Sequence, residues 1–189
     1  MKSMNNPWIV EETPEEDVAP VPEVKPEPVW APQAGVKPGD QWLGFRLFEE
    51  KTDRLCVVGA HGGAGTSTVA DLIDGVDCKT FWPVTNDLTP HECVVVARTD
   101  WAGLHAAKAV ARQWASGCVP AVELRGLILV PDRPGRLPRP LVDLAEHVAG
   151  GYATVWHMGW LSELRLGGQP TELPRETARW INTLRKETQ

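Results

Sequence analysis

The octapeptide His61-Gly62-Gly63-Ala64-Gly65-Thr66-Ser67-Thr68 constrains this chain more than any other stretch. It follows a short apolar run, Leu55-Cys56-Val57-Val58-Gly59, and opens a segment with helical character, Thr66–Ile73. A buried strand, a glycine-rich turn and a helix start make a cradle for an anion. The glycines let backbone N–H groups turn inward, and the helix dipole adds partial positive charge. A phosphate loop of this kind also carries Gly-Lys-Ser/Thr, with the lysine reaching the β/γ-phosphates. Here Thr66 stands at the lysine position, and Ser67 stands where a loop hydroxyl meets Mg²⁺. The expected nucleotide-binding residues are therefore Gly62, Gly63, Ala64, Gly65, Thr66, Ser67 and Thr68, with Ser67 the candidate metal ligand. An ordinary glycine turn with a Ser/Thr helix cap is the plainer alternative. Losing a charged hydrogen bond costs about 1.5–3 kcal/mol, which weakens binding without forbidding it. Hydrolysis depends on positioned cations far more heavily. The pattern predicts weak binding of ATP or another nucleotide with Mg²⁺, and no turnover.

From Gln41 onward strand and helix signals alternate, which predicts a three-layer α/β domain over 41–189 with about five mostly parallel strands. The expected strands are Arg54–Gly59, Asp77–Trp82, Glu92–Arg98, Val122–Val130 and Ala153–His157. The expected helices are Thr66–Ile73, Ala102–Ser116, Pro140–Val148 and Pro174–Lys186. In the second of these, Leu104, Ala107, Val110, Ala111 and Trp114 fall on one side at helical spacing. Residues 1–40 differ in kind: eight prolines, and eight acidic against three basic residues. Such a segment buries too little apolar surface to offset its ordering entropy, so a disordered tail is expected. Trp8 and Trp30 sit in two short apolar islands of that tail. They read as tail composition or as docking anchors for a protein partner.

The net charge of −6 argues against a protein that coats nucleic acid, which needs clustered lysine and arginine. Cys56, Cys78, Cys93 and Cys118 form no C-x-x-C pair and read as reduced core thiols. No apolar run approaches the roughly 20 residues that span a bilayer, and no signal-peptide core opens the chain, so a cytoplasmic location is expected. The five histidines show no metal-ligand spacing, and no G-x-S-x-G elbow exists. Arg98 and Asp100 close a strand at the sheet edge where α/β proteins bind ligands. Arg98 is thus the candidate to replace the missing lysine, while a surface pair with Asp100 is the plainer and favoured reading. The arginines of the Arg133–Pro140 loop fit phosphate contacts or, more simply, a solvated loop. Trp82, Trp101, Trp156 and Trp160 fall near expected strand ends, as packing or as a rim of the ligand edge.

The run Val57-Val58-Gly59-Ala60-His61-Gly62-Gly63-Ala64-Gly65-Thr66-Ser67-Thr68 resembles the deviant Walker A loop of the ParA/MinD ATPases, Lys-Gly-Gly-x-Gly-Lys-Ser/Thr-Thr. The resemblance implies a P-loop NTPase-like fold, and it extends softly over about 54–188. His61 and Thr66 occupy the two lysine positions of that family, the first of which acts across a nucleotide-sandwiched dimer. Val130-Pro131-Asp132 stands where the family has its adenine-reading asparagine. Fewer than 20 residues separate the first helix from the strand at Glu92, and no apolar strand there ends in a Walker B aspartate: Asp77 reads as preceding its strand. The compact, lysine-less layout is similar to a group of actinobacterial proteins associated with conjugative or other mobile elements. What the resemblance implies is a pseudo-ATPase with a regulatory or adaptor role in a DNA-transfer or partition system. A pure interaction module with a relic loop is the alternative, and an active ATPase with a rewired loop is the third reading.

Overall fold

The computed structural model describes residues 31–168 and 170–187, so the tryptophan islands at Trp8 and Trp30 lie outside the described residues. Strand β1 (Gly44–Phe48) comes first, followed by β2 (Cys56–Gly59), α1 (Thr66–Ile73), β3 (Val76–Asp77) and β4 (Phe81–Thr85). Then come β5 (His91–Arg98), α2 (Trp101–Ala115), β6 (Val122–Val130), α3 (Arg139–Ala149), β7 (Val155–His157), α4 (Ser162–Arg165) and α5 (Arg175–Glu187). Five strands form one parallel sheet in the order β3-β2-β5-β6-β7.

The near-continuous apolar runs of β2, β5 and β6 suit parallel strands covered on both faces. Alternate residues divide between the two helix layers. Cys56, Val58, Cys93, Val95, Ala97 and Leu129 pack with Leu104, Ala107 and Val110 of α2 and with Ala145 and Val148 of α3. Val57, Val94, Val96, Ile128 and Val130 pack with Val69 and Ile73 of α1 and with Trp180, Ile181 and Leu184 of α5. The molecule is therefore a three-layer α/β arrangement. The apolar stripe of α2 is buried as its spacing requires. Asp100 caps that helix, its carboxylate accepting from the Gly103 N–H at 2.7 Å.

Two elements depart from the sequence reading. The expected strand Asp77–Trp82 is two strands in two sheets, broken at Cys78–Thr80 where Lys79 takes a left-handed backbone conformation with φ 55°. The second half, β4, pairs in parallel with the unanticipated β1 in a separate two-stranded sheet. Gln113 of α2, fully buried, holds this small sheet in place. Its Oε1 accepts from the Leu43 N–H at 3.0 Å and the Trp82 Nε1–H at 3.1 Å, and its Nε2 donates to the Leu43 carbonyl at 2.9 Å. Trp82 is thus core rather than rim. The chain also packs ahead of residue 41: the Gln33 N–H donates to Ala115 O at 2.8 Å, and Arg112 Nη2 to Lys37 O at 3.1 Å. Among the described residues no helix is long and apolar enough to cross a membrane.

Three of the four cysteines converge. Cys56 and Cys93 are register partners on β2 and β5, and Cys78 joins them in the same fully buried cluster. Contact with Cys78 favours the Cys56 thiolate, but the Cys93 thiol and burial outweigh it and push Cys56 up to about 12. The Cys56 thiol, together with burial, raises Cys78 as well. These thiols behave as small apolar groups and are poor nucleophiles. A thiol-reactive dye at pH 8 is expected to titrate the exposed Cys118 alone in the native protein, and all four cysteines in denaturant. Rapid native reaction of more than one thiol would show that the cluster opens.

Candidate functional site

The chain order places a crevice between β2 and β5. From β2 the path runs through α1 to β3 on one side, and from β5 through α2 to β6 on the other, with α1 and α2 on opposite faces. Ligands in open α/β sheets bind at such a switch point, beyond the carboxyl ends of the strands. The glycine loop after β2 and the Arg98–Asp100 corner after β5 both lie there. Gly65 precedes α1 with φ 99°, a conformation in which a side chain would be strained. No side chain caps α1, so its first-turn N–H groups are left to the loop mouth.

Two clefts meet at Gly65 and Thr68. One, about 400 Å³ and open, is lined by Gly62, Gly63, Thr66, Ser67 and Lys79. The other, about 150 Å³, has apolar walls from Val130, Pro131, Met158, Leu161 and Leu164, with Arg98 and Trp160 at its side. Together they offer a polar, cation-bearing chamber beside an apolar one. An apolar cleft beside a few convergent polar groups is the usual make-up of a small-molecule site.

The loop residues have distinct placements. Ala64 is buried, while Gly62 and Gly63 are exposed. Thr66 is also buried and its Oγ1 is turned back onto β2, where any side chain on Gly59 would collide with it. The position that carries the lysine in a phosphate loop therefore closes the loop from beneath. His61 also faces inward. Its Nε2 accepts from the Arg98 N–H at 3.2 Å, which leaves Nδ1 to donate to the Gly62 carbonyl at 2.9 Å. Arg98 lines the apolar cleft but does not pair with Asp100. Its Nε donates to Gly63 O at 3.2 Å and its Nη1 to Pro131 O at 3.0 Å, so it braces the loop against the end of β6, while Asp100 caps α2.

The groups that sequence reasoning missed are Asp77 and Lys79. Asp77 ends β3, beside the loop strand, rather than preceding a strand. Ser67 Oγ donates to Asp77 Oδ2 at 2.7 Å, and Lys79 Nζ lies 3.1 Å from Ser67 Oγ and 2.5 Å from Asp77 Oδ2. Burial alone raises the Asp77 carboxyl, but the hydrogen bonds from Lys79 and Ser67 outweigh it and hold the group below the ordinary carboxylate range. The only sequence trace of this corner is the spacing Asp77-x-Lys79, since a two-residue strand has no periodicity to read.

Other expected positions stand apart. Arg139 opens α3 and pairs with Asp143 at 2.9 Å on the surface, and Arg133 and Arg136 border a third cavity, which adjoins the apolar cleft at Pro131 and Met158. Trp101 is exposed and packs against His105 at a tilt of 50°, with ring centroids 4.4 Å apart. Among the described residues no cluster of three His, Cys, Asp or Glu side chains is arranged to hold a metal ion.

Because the folded Asp77 pKa is lowered, its ionised form favours the native state. That contribution is complete above the unfolded value, about 3.9, and fades as pH falls through the folded one. Melting of wild type and Asp77→Asn compared from pH 6 to pH 3 should show the gap between them shrinking on the acid side. A gap that does not change with pH would refute the assignment.

The model of the "Family of unknown function (DUF6668)" matches residues 53–180, a span from just before β2 into α5 that contains the whole crevice. The chain belongs to that family. No curated protein and no solved structure matches it.

Proposed function

We propose that this member of the family is a ParA/MinD-like P-loop protein that binds the phosphates of a nucleotide weakly, does not hydrolyse it, and works as a regulatory or adaptor component, in line with a DNA-transfer or partition system. The observation that carries the reading is the uncapped glycine loop at the sheet's switch point, opening on a polar chamber and an apolar one that share Gly65 and Thr68. In it the first-turn N–H groups of α1 hold phosphate oxygens, while Val130, Met158 and Leu161 receive the flat base. Neither Thr66 nor the inward-set His61 supplies the loop-borne lysine on which phosphoryl transfer relies, so the reading stops at binding.

A second reading, a protein-interaction module with a relic loop, draws on the small sheet, where Trp42, Phe45, Leu47 and Phe81 are all exposed. The two part in a thermal-shift series with ATP, ADP and GTP. Ligand at about 100 times its dissociation constant adds about 2.7 kcal/mol, roughly 5–11 °C in melting temperature for a chain of this size. A flat melting point up to the solubility limit of every nucleotide leaves the interaction module standing. Thr66→Lys is expected to tighten binding roughly tenfold or more by restoring a charged hydrogen bond.

A further inference from the structure

A phosphate loop holds its divalent cation through the loop Ser/Thr hydroxyl and a strand-end carboxylate. Both groups are present here, as Ser67 Oγ and Asp77 Oδ2, and they face each other at 2.7 Å. Mg²⁺ needs oxygen ligands in near-octahedral array at about 2.0–2.1 Å. These two oxygens instead hydrogen-bond one another and share the Lys79 ammonium. The residues therefore do not fit Mg²⁺, because an amino group of the protein already stands at its place.

We propose that Lys79 is the built-in cation of this site, so that the loop binds phosphate without a divalent metal. The proposal rests on the phosphate-binding reading above and identifies its charge. Lys79 comes from outside the loop, yet its backbone is fixed to it: its carbonyl accepts from the Gly59 N–H at 2.6 Å, and its N–H donates to Asp77 Oδ1 at 2.9 Å. The side chain is 61% exposed, so the ammonium, with three donors, can meet a ligand oxygen in the same open chamber without leaving Asp77. Glycine or asparagine would suit a φ of 55° better, and the lysine side chain is what this position has in exchange for the strain. Asp77 has two effects on an incoming phosphate. It holds the ammonium at the loop mouth, and its own negative charge competes with the ligand.

The test is isothermal titration of the full chain with ATP, in EDTA and in excess Mg²⁺, for wild type, Lys79→Gly and Asp77→Asn. Glycine fits the backbone at residue 79, and melting curves verify that each variant is folded. Wild type should bind equally, within about twofold, in the two buffers. Lys79→Gly should lose at least about tenfold, as expected for a lost charged hydrogen bond. Asp77→Asn should gain several-fold, because the ammonium loses its competing partner. Titration with inorganic tripolyphosphate should show Lys79→Arg, which keeps the charge, binding where Lys79→Gly does not. The proposal is overturned if wild type needs Mg²⁺, if Asp77→Asn abolishes binding, or if Lys79→Gly binds as wild type does. Absence of wild-type binding in both buffers has a different signature, a flat isotherm throughout, and removes the nucleotide reading together with this one.

Discussion

Strand β5 lies in the middle of the five-stranded sheet, and its run Cys93–Ala97 is apolar and fully buried, so both of its faces need cover. That requirement puts helices on the two sides of the sheet, and the chain meets it by sending α1 and α2 to opposite faces. Where the two helices diverge, the carboxyl ends of β2 and β5 are left with loops alone above them. The crevice is thus a consequence of burying apolar strands in parallel, and the glycine loop is what the chain places at its edge.

Around that edge the stabilising contacts are mostly backbone-directed. Arg98 joins the carbonyls of Gly63 and Pro131, which belong to the turns after β2 and β6. His61 inserts between the loop and the end of β5 through one bond on each ring nitrogen. Arg98 and His61 are used here to brace the loop.

Much of this was legible in the sequence because it is local. The bounds of α1 and β6 coincide with the expected ones, since a glycine turn, a helix start and a long apolar run each declare themselves within a few residues. The parts that were not legible depend on distance or on unusual backbone. β1 is short and exposed, and it pairs with a strand some 35 residues further along, so nothing near Gly44–Phe48 announces it. The break after β3 is made by a lysine at positive φ, with no glycine or proline to mark the turn. Reading Asp77–Trp82 as one strand hid Asp77 at the end of β3, and with it the contact to Ser67. Arg98 was placed at the right edge, but its partners are carbonyls, and carbonyls carry no signal in a sequence.

The hydrogen bond from the Gly59 N–H to the Lys79 carbonyl carries a wider lesson. It joins the end of β2, at the base of the loop, to a connector twenty residues downstream, so loop and lysine form one surface only in the folded chain. A pattern search that scores the loop by the residue after its last glycine scores such a protein as defective. In this chain the informative comparison is between the loop and the short turn after β3, two segments that a motif treats as unrelated. Loss of a motif residue and relocation of its charge give the same gap in a motif.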